Sequence, residues 1–202
     1  MVKKIHSPKT MYTPVRRCRD ERKDLHLHLF INTLMDLQQF RRKAARNKKA
    51  LTAFLKRLDE LVPEDMPVVV AETDATVWQE VNCLSCANCC KTMTPTWNRT
   101  DILRISAHLG MRPEEFRQRW LYREEETGDW MNKSTPCQFL DLQTNMCTVY
   151  EARPKDCREF PHHNKKDFDL YNDMFIANLT HCPATYTLIA RLKKRIEEEY
   201  EW

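Results

Sequence analysis

Cysteine is the residue in this sequence whose number and spacing point most directly to chemistry. Four thiols lie within eight positions, at Cys83, Cys86, Cys89 and Cys90. A C-x2-C spacing lets two thiolates from one tight turn reach the same ion or cluster, because the intervening residues turn back. Cysteines that only fill core space have no reason to recur every third residue and then double. The stretch therefore predicts metal binding.

Two of these thiols are neighbours in the chain, which limits how they share an ion. Adjacent residues tend to aim their side chains apart, so we expect that Cys89 and Cys90 do not both bind one metal. The motif then implies either two metal sites, or one site with a supporting or reactive thiol beside it.

Four further cysteines complete the candidate ligand set: Cys137, Cys147, Cys157 and Cys182. The ninth, Cys18, lies far from the others in sequence, and we do not assign it as a ligand. Eight thiols suffice for two four-thiolate sites, which could hold two zinc ions, two iron–sulfur clusters, or one of each. The metal could be purely structural, or it could serve catalysis or sensing, and the sequence leaves both open.

Composition narrows the class of protein. The 202 residues are 42% hydrophobic and 31% charged with a net charge of +4, which fits a globular protein and does not by itself indicate nucleic-acid binding. No run approaches the ~18 apolar residues of a membrane span, and the N-terminus lacks the apolar run of a signal peptide. We therefore expect a cytoplasmic protein without membrane partners, whose thiols are ligands or reactive groups rather than disulfides. Only two glycines occur, which excludes glycine-rich phosphate loops.

The pattern predicts a mainly α fold with irregular metal-centred loops. We divide the chain into a mobile basic arm (1–20), an N-terminal helical region (21–66), a cysteine-cluster domain (67–184) and a C-terminal amphipathic helix (185–202). The helical region is expected to pack on the cysteine-cluster domain, as one long helix or as a hairpin broken near Asn47. Its apolar stripe follows helical spacing: Leu27, Phe30, Leu34, Leu37, Ala44, Leu51, Leu55 and Leu58.

Prolines, a capping threonine and a glycine predict where several shorter elements begin and end. Pro63 and Pro67 are expected to end the helical region, and residues 68–70 to form an edge strand or simply core. Thr100 predicts the N-cap of a helix that Gly110 ends, and Pro113 opens a second helix with Phe116, Trp120 and Leu121 facing inward. Residues 124–135 are expected to form a polar loop. Residues 168–179 have mixed periodicity that favours neither strand nor helix.

The most basic run of the chain lies at residues 41–49. Contact with nucleic acid or with an acidic partner is one interpretation. The solvated face of a helix is the favoured one, since no aromatic residue interleaves the run to stack on bases.

Other residues near the later cysteines could support the metal. Arg153 and Arg158 could donate hydrogen bonds to thiolate sulfurs or to backbone carbonyls, or the Arg-Pro pair could only set a turn. His162, His163 and His181 could each replace a thiol, although a surface or supporting role is favoured beside a complete thiol set. Tyr150 and Phe160 are expected to pack around the site.

These motifs, taken in order, resemble the cysteine-cluster proteins of the YkgJ type, a family associated with zinc or iron chelation. The resemblance covers about residues 80–184 and departs at Ala87, where glycine is expected after the second cysteine. It implies metal or iron–sulfur binding, and some relatives join this module to a lysine N-methyltransferase that uses S-adenosylmethionine. The resemblance rests on C-x2-C-x2-C-C at Cys83, Cys86, Cys89 and Cys90, on Cys137-x-Phe139-Leu140, and on Cys147-x3-Tyr150-x2-Arg153-Pro154-x2-Cys157-Arg158-x-Phe160-Pro161.

Three hypotheses follow. The first is a metal-binding protein with an eight-cysteine cluster that holds zinc or an iron–sulfur cluster. The second is an enzyme in which an iron–sulfur cluster serves redox chemistry or protein methylation, although no separate motif for the methyl donor is present. The third is a nucleic-acid or ribosome adaptor that uses the basic helix. The protein partner or substrate is unknown at this point.

Overall fold

The computed structural model describes residues 36–165 and 167–202. The described residues are mainly helical, as predicted, and divide into two compact units. We name residues 86–160 the cysteine unit, and the described residues of 36–85 and 161–202 the helical unit. The four domain boundaries predicted from sequence stay predictions, and the basic arm, Cys18 and the first three stripe residues lie outside the described residues. The helices of the helical unit are α1 (Leu37–Leu58), α2 (Met66–Val77), α3 (Cys83–Cys86, which ends in the cysteine unit), α8 (Asn172–Asn178) and α9 (Pro183–Glu199).

Helix α1 begins at an N-cap formed by Asp36 and runs without a break. The Asp36 carboxylate accepts hydrogen bonds from the backbone N–H groups of Gln38 and Gln39, both at 2.9 Å, which satisfies two donors that the first turn leaves free. The helix continues through Asn47 without a break. Of the two predicted arrangements, the structure therefore has the single long helix and not the hairpin. Its buried residues are Ala44, Leu51, Phe54, Leu55 and Leu58.

Helix α2 corrects two expectations. Pro67 lies in the first turn of this helix, which begins at Met66, rather than ending the previous one, because proline without an N–H is tolerated in a first turn. The three valines that follow are helical, so the edge strand is wrong, while Val69 and Val70 are buried as the core alternative expects. A short apolar run does not distinguish strand from helix by periodicity alone.

Helix α9 organises the core of the helical unit. It packs against α1, α2 and α8 and buries one continuous face, as its amphipathic pattern predicts. The stretch that favoured neither helix nor strand forms a 3-10 turn, Phe168–Tyr171, followed by α8. No helix within residues 36–165 and 167–202 is long and apolar enough to cross a membrane. The fully buried side chains include Leu55, Leu58, Phe175, Leu179, Leu188, Ile189, Leu192 and Ile196.

The cysteine unit combines short helices with a small antiparallel sheet. Its strands lie in the order β1–β3–β2, with Trp97 opposite Trp130 and Tyr122 opposite Met131. An aromatic and aliphatic core, built around the fully buried Phe116, covers this sheet. The elements are α4 (Asn88–Thr92), β1 (Thr96–Trp97), α5 (Arg99–His108), α6 (Pro113–Trp120), β2 (Leu121–Arg123), β3 (Trp130–Asn132), a 3-10 turn (Tyr150–Ala152) and α7 (Lys155–Glu159).

Two details of this unit differ from expectation. Asn98, not Thr100, caps α5, since its side chain accepts the backbone N–H of Asp101 at 2.8 Å. Strand β3 lies within the stretch expected to be a polar loop, because its pairing depends on β1 and β2 rather than on its own sequence. The helix that ends at Gly110 and the one that opens at Pro113 are confirmed.

Candidate metal centre

The C-x2-C-x2-C-C stretch forms two short helices joined by a sharp turn. Helix α3 carries Cys83 and Cys86, and helix α4 carries Cys89 and Cys90. Ala87, buried between them, adopts a left-handed backbone with φ +47°. This is the position at which the resemblance calls for glycine, so the turn forms in this chain with alanine in a conformation that favours glycine.

The strain at this turn gives a first prediction. A left-handed backbone costs an L-residue roughly 1–2 kcal/mol, and glycine avoids that cost at an entropic penalty of roughly 0.5–1 kcal/mol. We expect Ala87→Gly to raise the free energy of unfolding by about 0.5 kcal/mol. Ala44→Gly, within α1 and fully buried, should lower it by about 1 kcal/mol or more. Chemical denaturation of both variants measures the contrast, and equal losses would contradict it.

Four chain segments of the cysteine unit carry thiols, and each is tied to a neighbouring segment. The backbone N–H of Cys137 donates to the carbonyl of Cys90 at 2.8 Å, which ties the first motif to the second. An isolated antiparallel bridge between Leu140 and Cys147 closes the next loop. Helix α7, which carries Cys157, is tied to β1 because the backbone N–H of Thr96 donates to Asp156 at 3.0 Å. These contacts hold in place the chain segments that carry Cys90, Cys137, Cys147 and Cys157.

The pKa values of these thiols show that the sulfurs influence one another. Burial, followed by the charges of Cys90 and Cys147, raises the pKa of Cys137 to about 11. Although Cys157 is exposed as a residue, desolvation and then the charges of Cys90, Cys137 and Cys147 raise its pKa. Thiolates crowded in this way repel one another, and a cation among them would relieve the repulsion.

Cys89 and Cys90 lie closer than expected for neighbours. Their sulfurs are 4.0 Å apart, and this contact lowers the pKa of Cys90 to about 7. Two thiolates on one tetrahedral zinc, each at about 2.3 Å, would lie at roughly this separation. Side chains at i and i+1 of a helix differ by about 100° in direction, so they need not point apart. Whether this pair shares an ion stays a prediction.

The donor set fits a zinc or iron centre, since it consists of thiols that form no disulfide among the described residues. In that part of the chain, no three Cys, His, Asp or Glu side chains are already arranged to hold a metal ion. The eight-residue ligand assignment and the coordination geometry therefore stay predictions. Six of the eight cysteines belong to the cysteine unit; Cys83 and Cys182 belong to the helical unit.

Asn132 is a residue of the site that the sequence did not reveal. Its Oδ1 accepts hydrogen bonds from the Trp97 indole N–H at 2.8 Å and from the Gln138 amide at 3.1 Å. An indole N–H can only donate, so the orientation of the Asn132 amide is fixed. Its Nδ2 consequently faces the Cys137 sulfur, at 3.4 Å, as a donor that stabilises a thiolate.

This amide gives a second prediction. In Asn132→Asp the acceptor for Trp97 remains, but a carboxylate oxygen replaces the donor that faces the Cys137 sulfur. Because loss of an outer hydrogen bond to a metal ligand typically costs 10–100-fold, we expect metal affinity to fall by about that factor. Competition with a chromophoric chelator measures it. Gln138→Glu, which changes the neighbouring amide in the same way without facing the sulfur, should have the smaller effect; the reverse order would contradict the assignment.

A buried carboxylate organises the segment before Cys157. Asp101, 2% exposed, accepts the backbone N–H of Lys155 at 3.1 Å and pairs with Arg104 at 2.6 Å. Arg104 also donates to the carbonyl of Arg153 at 2.7 Å. Helix α5 thus holds the start of α7 through one carboxylate and one guanidinium. Sequence reading missed Asp101, because an acidic residue in a first helical turn is also what the helix dipole favours.

The arginines of the Arg-Pro motif act on the backbone and on this carboxylate. Arg153 donates to the carbonyl of Tyr150 at 2.6 Å and stacks over its ring, 3.6 Å from the centroid, so the carbonyl alternative is confirmed for this residue. Arg158 lies 3.9 Å from the Asp101 carboxylate. Both contacts stabilise the turn that carries Cys157.

In the helical unit, Cys182 lies at the start of α9. The residue is buried, and its sulfur accepts the backbone N–H of Thr185 at 3.5 Å as the N-cap of the helix. His163 is also buried, with Nδ1 2.7 Å from Asp74 and Nε2 3.1 Å from the Thr185 hydroxyl. Both ring nitrogens of His163 are therefore engaged, and the residue is not at the surface. Asp74 and Thr185 carried no signal in the sequence.

Comparison with known proteins agrees with this chemistry. The family model named CxxCxxCC, described as "Putative zinc- or iron-chelating domain", matches residues 82–182, half of the chain. The match begins just before Cys83 and ends at Cys182, so it spans every assigned cysteine ligand. No solved structure matches the chain. With its cysteine motifs in order and half its length matched, the chain belongs to the CxxCxxCC family of zinc- or iron-chelating domains.

Proposed function

We propose that this protein binds zinc or iron through a four-thiolate set made of Cys90, Cys137, Cys147 and Cys157. One observation carries the assignment: the charge of Cys90 raises the pKa of both Cys137 and Cys157, and Cys147 raises both as well. These four thiols come from separate segments of one compact unit, and the first and the last of them are 67 positions apart in the sequence. In their thiolate forms these groups would repel one another, and a bound cation would remove that repulsion.

The bound ion would act first as a crosslink. Each of the four ligands lies on a short helix or a loop, and the backbone contacts that join them are few. A tetrahedral thiolate centre contributes folding free energy directly, because it replaces core packing that such a region cannot supply. The Asn132 amide, facing the Cys137 sulfur, would stabilise the deprotonated ligand.

The remaining predicted ligands are less supported. Cys86 is buried within the cysteine unit, and burial raises its pKa. Cys89 contacts Cys90 directly. Cys86 and Cys89 are proposed to support the first set or to bind a second ion, and Cys83 and Cys182 stay predicted ligands.

Elemental analysis of anaerobically purified protein, with a visible spectrum of the same sample, tests the proposal. A brown protein that contains iron and acid-labile sulfide would assign an iron–sulfur cluster and favour a redox role. A colourless protein with one or two zinc ions per chain would assign a structural centre. A protein with neither metal at stoichiometric level, after growth with both supplied, would overturn the proposal.

A further inference from the structure

Helix α1 carries an unusual concentration of positive charge. Its 22 residues contain eight lysines and arginines and no aspartate or glutamate, whereas the whole chain has a net charge of only +4. All eight basic residues are exposed. The helix is therefore far more basic than the rest of the protein, and nothing in the metal chemistry requires this.

Four of these cations form a row along one face. Arg42, Arg46, Lys49 and Lys56 follow one another at steps of four, three and seven residues, the spacing of a single helical face. The row extends over about 21 Å at 1.5 Å per residue. A two-residue step turns a helix by about 200°, so the row lies opposite the buried residues at 44, 51 and 58. We call these four residues the basic row.

The basic row costs the helix stability. Arg42 and Arg46 are like charges at i, i+4, and Arg46 and Lys49 are like charges at i, i+3, both of which destabilise a helix. None of the four forms an ion pair with a described residue. Helix α9 shows the ordinary arrangement, since Lys193 pairs with Glu197 and Lys194 with Glu198. A solvated face would be expected to resemble α9, which favours a ligand for the basic row.

The chemistry of the face selects among anionic partners. Its uncharged positions include Ala45 and Ala53, which are exposed, and it presents no aromatic or large aliphatic side chain. A stable protein interface is usually centred on buried anchors of that kind, and stable anchoring at a membrane surface takes apolar contact in addition to cations. Stacking on single-stranded bases needs aromatics. Phosphates of a duplex need only cations at suitable spacing.

We propose that the basic row binds the phosphate backbone of duplex DNA without reading its sequence. Residues 45–50 are all exposed, and the basic row lies on the side of α1 that faces away from α9, which α1 contacts through the hydrogen bond from Asn47 to the Tyr186 hydroxyl at 2.7 Å. An α-helix about 10–12 Å in diameter fits the major groove of B-form DNA, about 12 Å wide, but not the narrow major groove of duplex RNA. The proposal is independent of which metal the cysteines hold.

Fluorescence anisotropy with a labelled 20-base-pair DNA duplex of arbitrary sequence, titrated with metal-loaded protein at several salt concentrations, tests this. Four phosphate contacts predict a slope of log K against log salt of about −3.6. Arg46→Gln/Lys49→Gln should reduce the steepness of that slope by about 2 and weaken binding at low salt at least 10-fold. This variant should fold at least as stably as the parent, because it removes like-charge repulsion.

Lys193→Gln/Lys194→Gln is the matched control for net charge, since it removes two positive charges from a different helix, where Lys194 is exposed and Lys193 is half-buried. It should leave the slope unchanged. Equal loss in both variants would show that net charge, not the basic row, attracts DNA, and would overturn the proposal. Absence of salt-dependent binding, or equal binding to a duplex RNA or to polyglutamate, would overturn it as well. Circular dichroism and metal content confirm that each variant is folded.

Discussion

Cys90→Ser and Cys157→Ser are each expected to abolish stoichiometric metal binding at the proposed four-thiolate set. A hydroxyl is a poor ligand for zinc or iron, so each variant should lose more than about 100-fold in metal affinity, beyond what loss of an outer hydrogen bond costs. The cysteine unit should also melt at a lower temperature, because binding free energy at such a centre is folding free energy. Elemental analysis and thermal unfolding of the same samples measure both effects.

Cys18→Ser is the control for this pair. It removes a thiol that the sequence does not assign as a ligand, so metal content and melting temperature should match the parent. If Cys157→Ser kept full metal content, the four-thiolate set would be wrong. If Cys90→Ser alone kept it, with Cys89→Ser losing the ion, then the neighbouring thiol would be the ligand.

Asp101→Ala should destabilise the cysteine unit by about 3 kcal/mol, the largest effect that we expect away from the thiols. The change removes an almost fully buried carboxylate. The backbone N–H of Lys155 then has no acceptor, and the Arg104 guanidinium loses the carboxylate with which it pairs. The start of α7, the helix that carries Cys157, then loses this hydrogen bond. Metal affinity should therefore fall together with the stability of the unit. Urea denaturation and chelator competition measure the two losses.

Glu114→Ala is the matched control for this variant. Glu114 pairs with Arg117 at 2.7 Å and at the same i, i+3 spacing as the Asp101–Arg104 pair, but its side chain is 65% exposed against 2% for Asp101. An exposed pair contributes about 0–1 kcal/mol, so Glu114→Ala should be nearly neutral. Asp101→Asn, which keeps an acceptor for Lys155, should fall between the two. Equal effects of Asp101→Ala and Glu114→Ala would contradict the anchoring role.

The sequence predicts well those features that are local. The helix that Gly110 ends, the helix that Pro113 opens and the C-terminal amphipathic helix are each marked by a cap, a proline or a periodic stripe, and each is present. The cysteine motifs gave the family for the same reason, because spacing within a turn is a local property. Mainly helical architecture followed from these elements together.

Features that depend on distant segments could not be predicted. Strand β3 has only three residues and exists because two other strands pair with it. Asn132 contacts Cys137 only because Trp97, 35 residues away, fixes its amide. The effect of Cys90 on the pKa of Cys157 likewise depends on the contacts that place α4, β1 and α7. Neither periodicity nor capping residues in the sequence indicate contacts between segments so far apart.

The hydrogen-bonded chain from Asp74 through His163 to Thr185 has a consequence for how the helical unit packs. The imidazole ring of His163 lies between the two helices and is hydrogen-bonded to Asp74 of α2 and to Thr185 of α9 at the same time. Apolar faces alone tolerate sliding, but moving either helix by one turn, about 5.4 Å, would break one of these hydrogen bonds inside the core. The chain therefore sets the register of α2 against α9, and with it the position of the Cys182 sulfur at the first turn of α9.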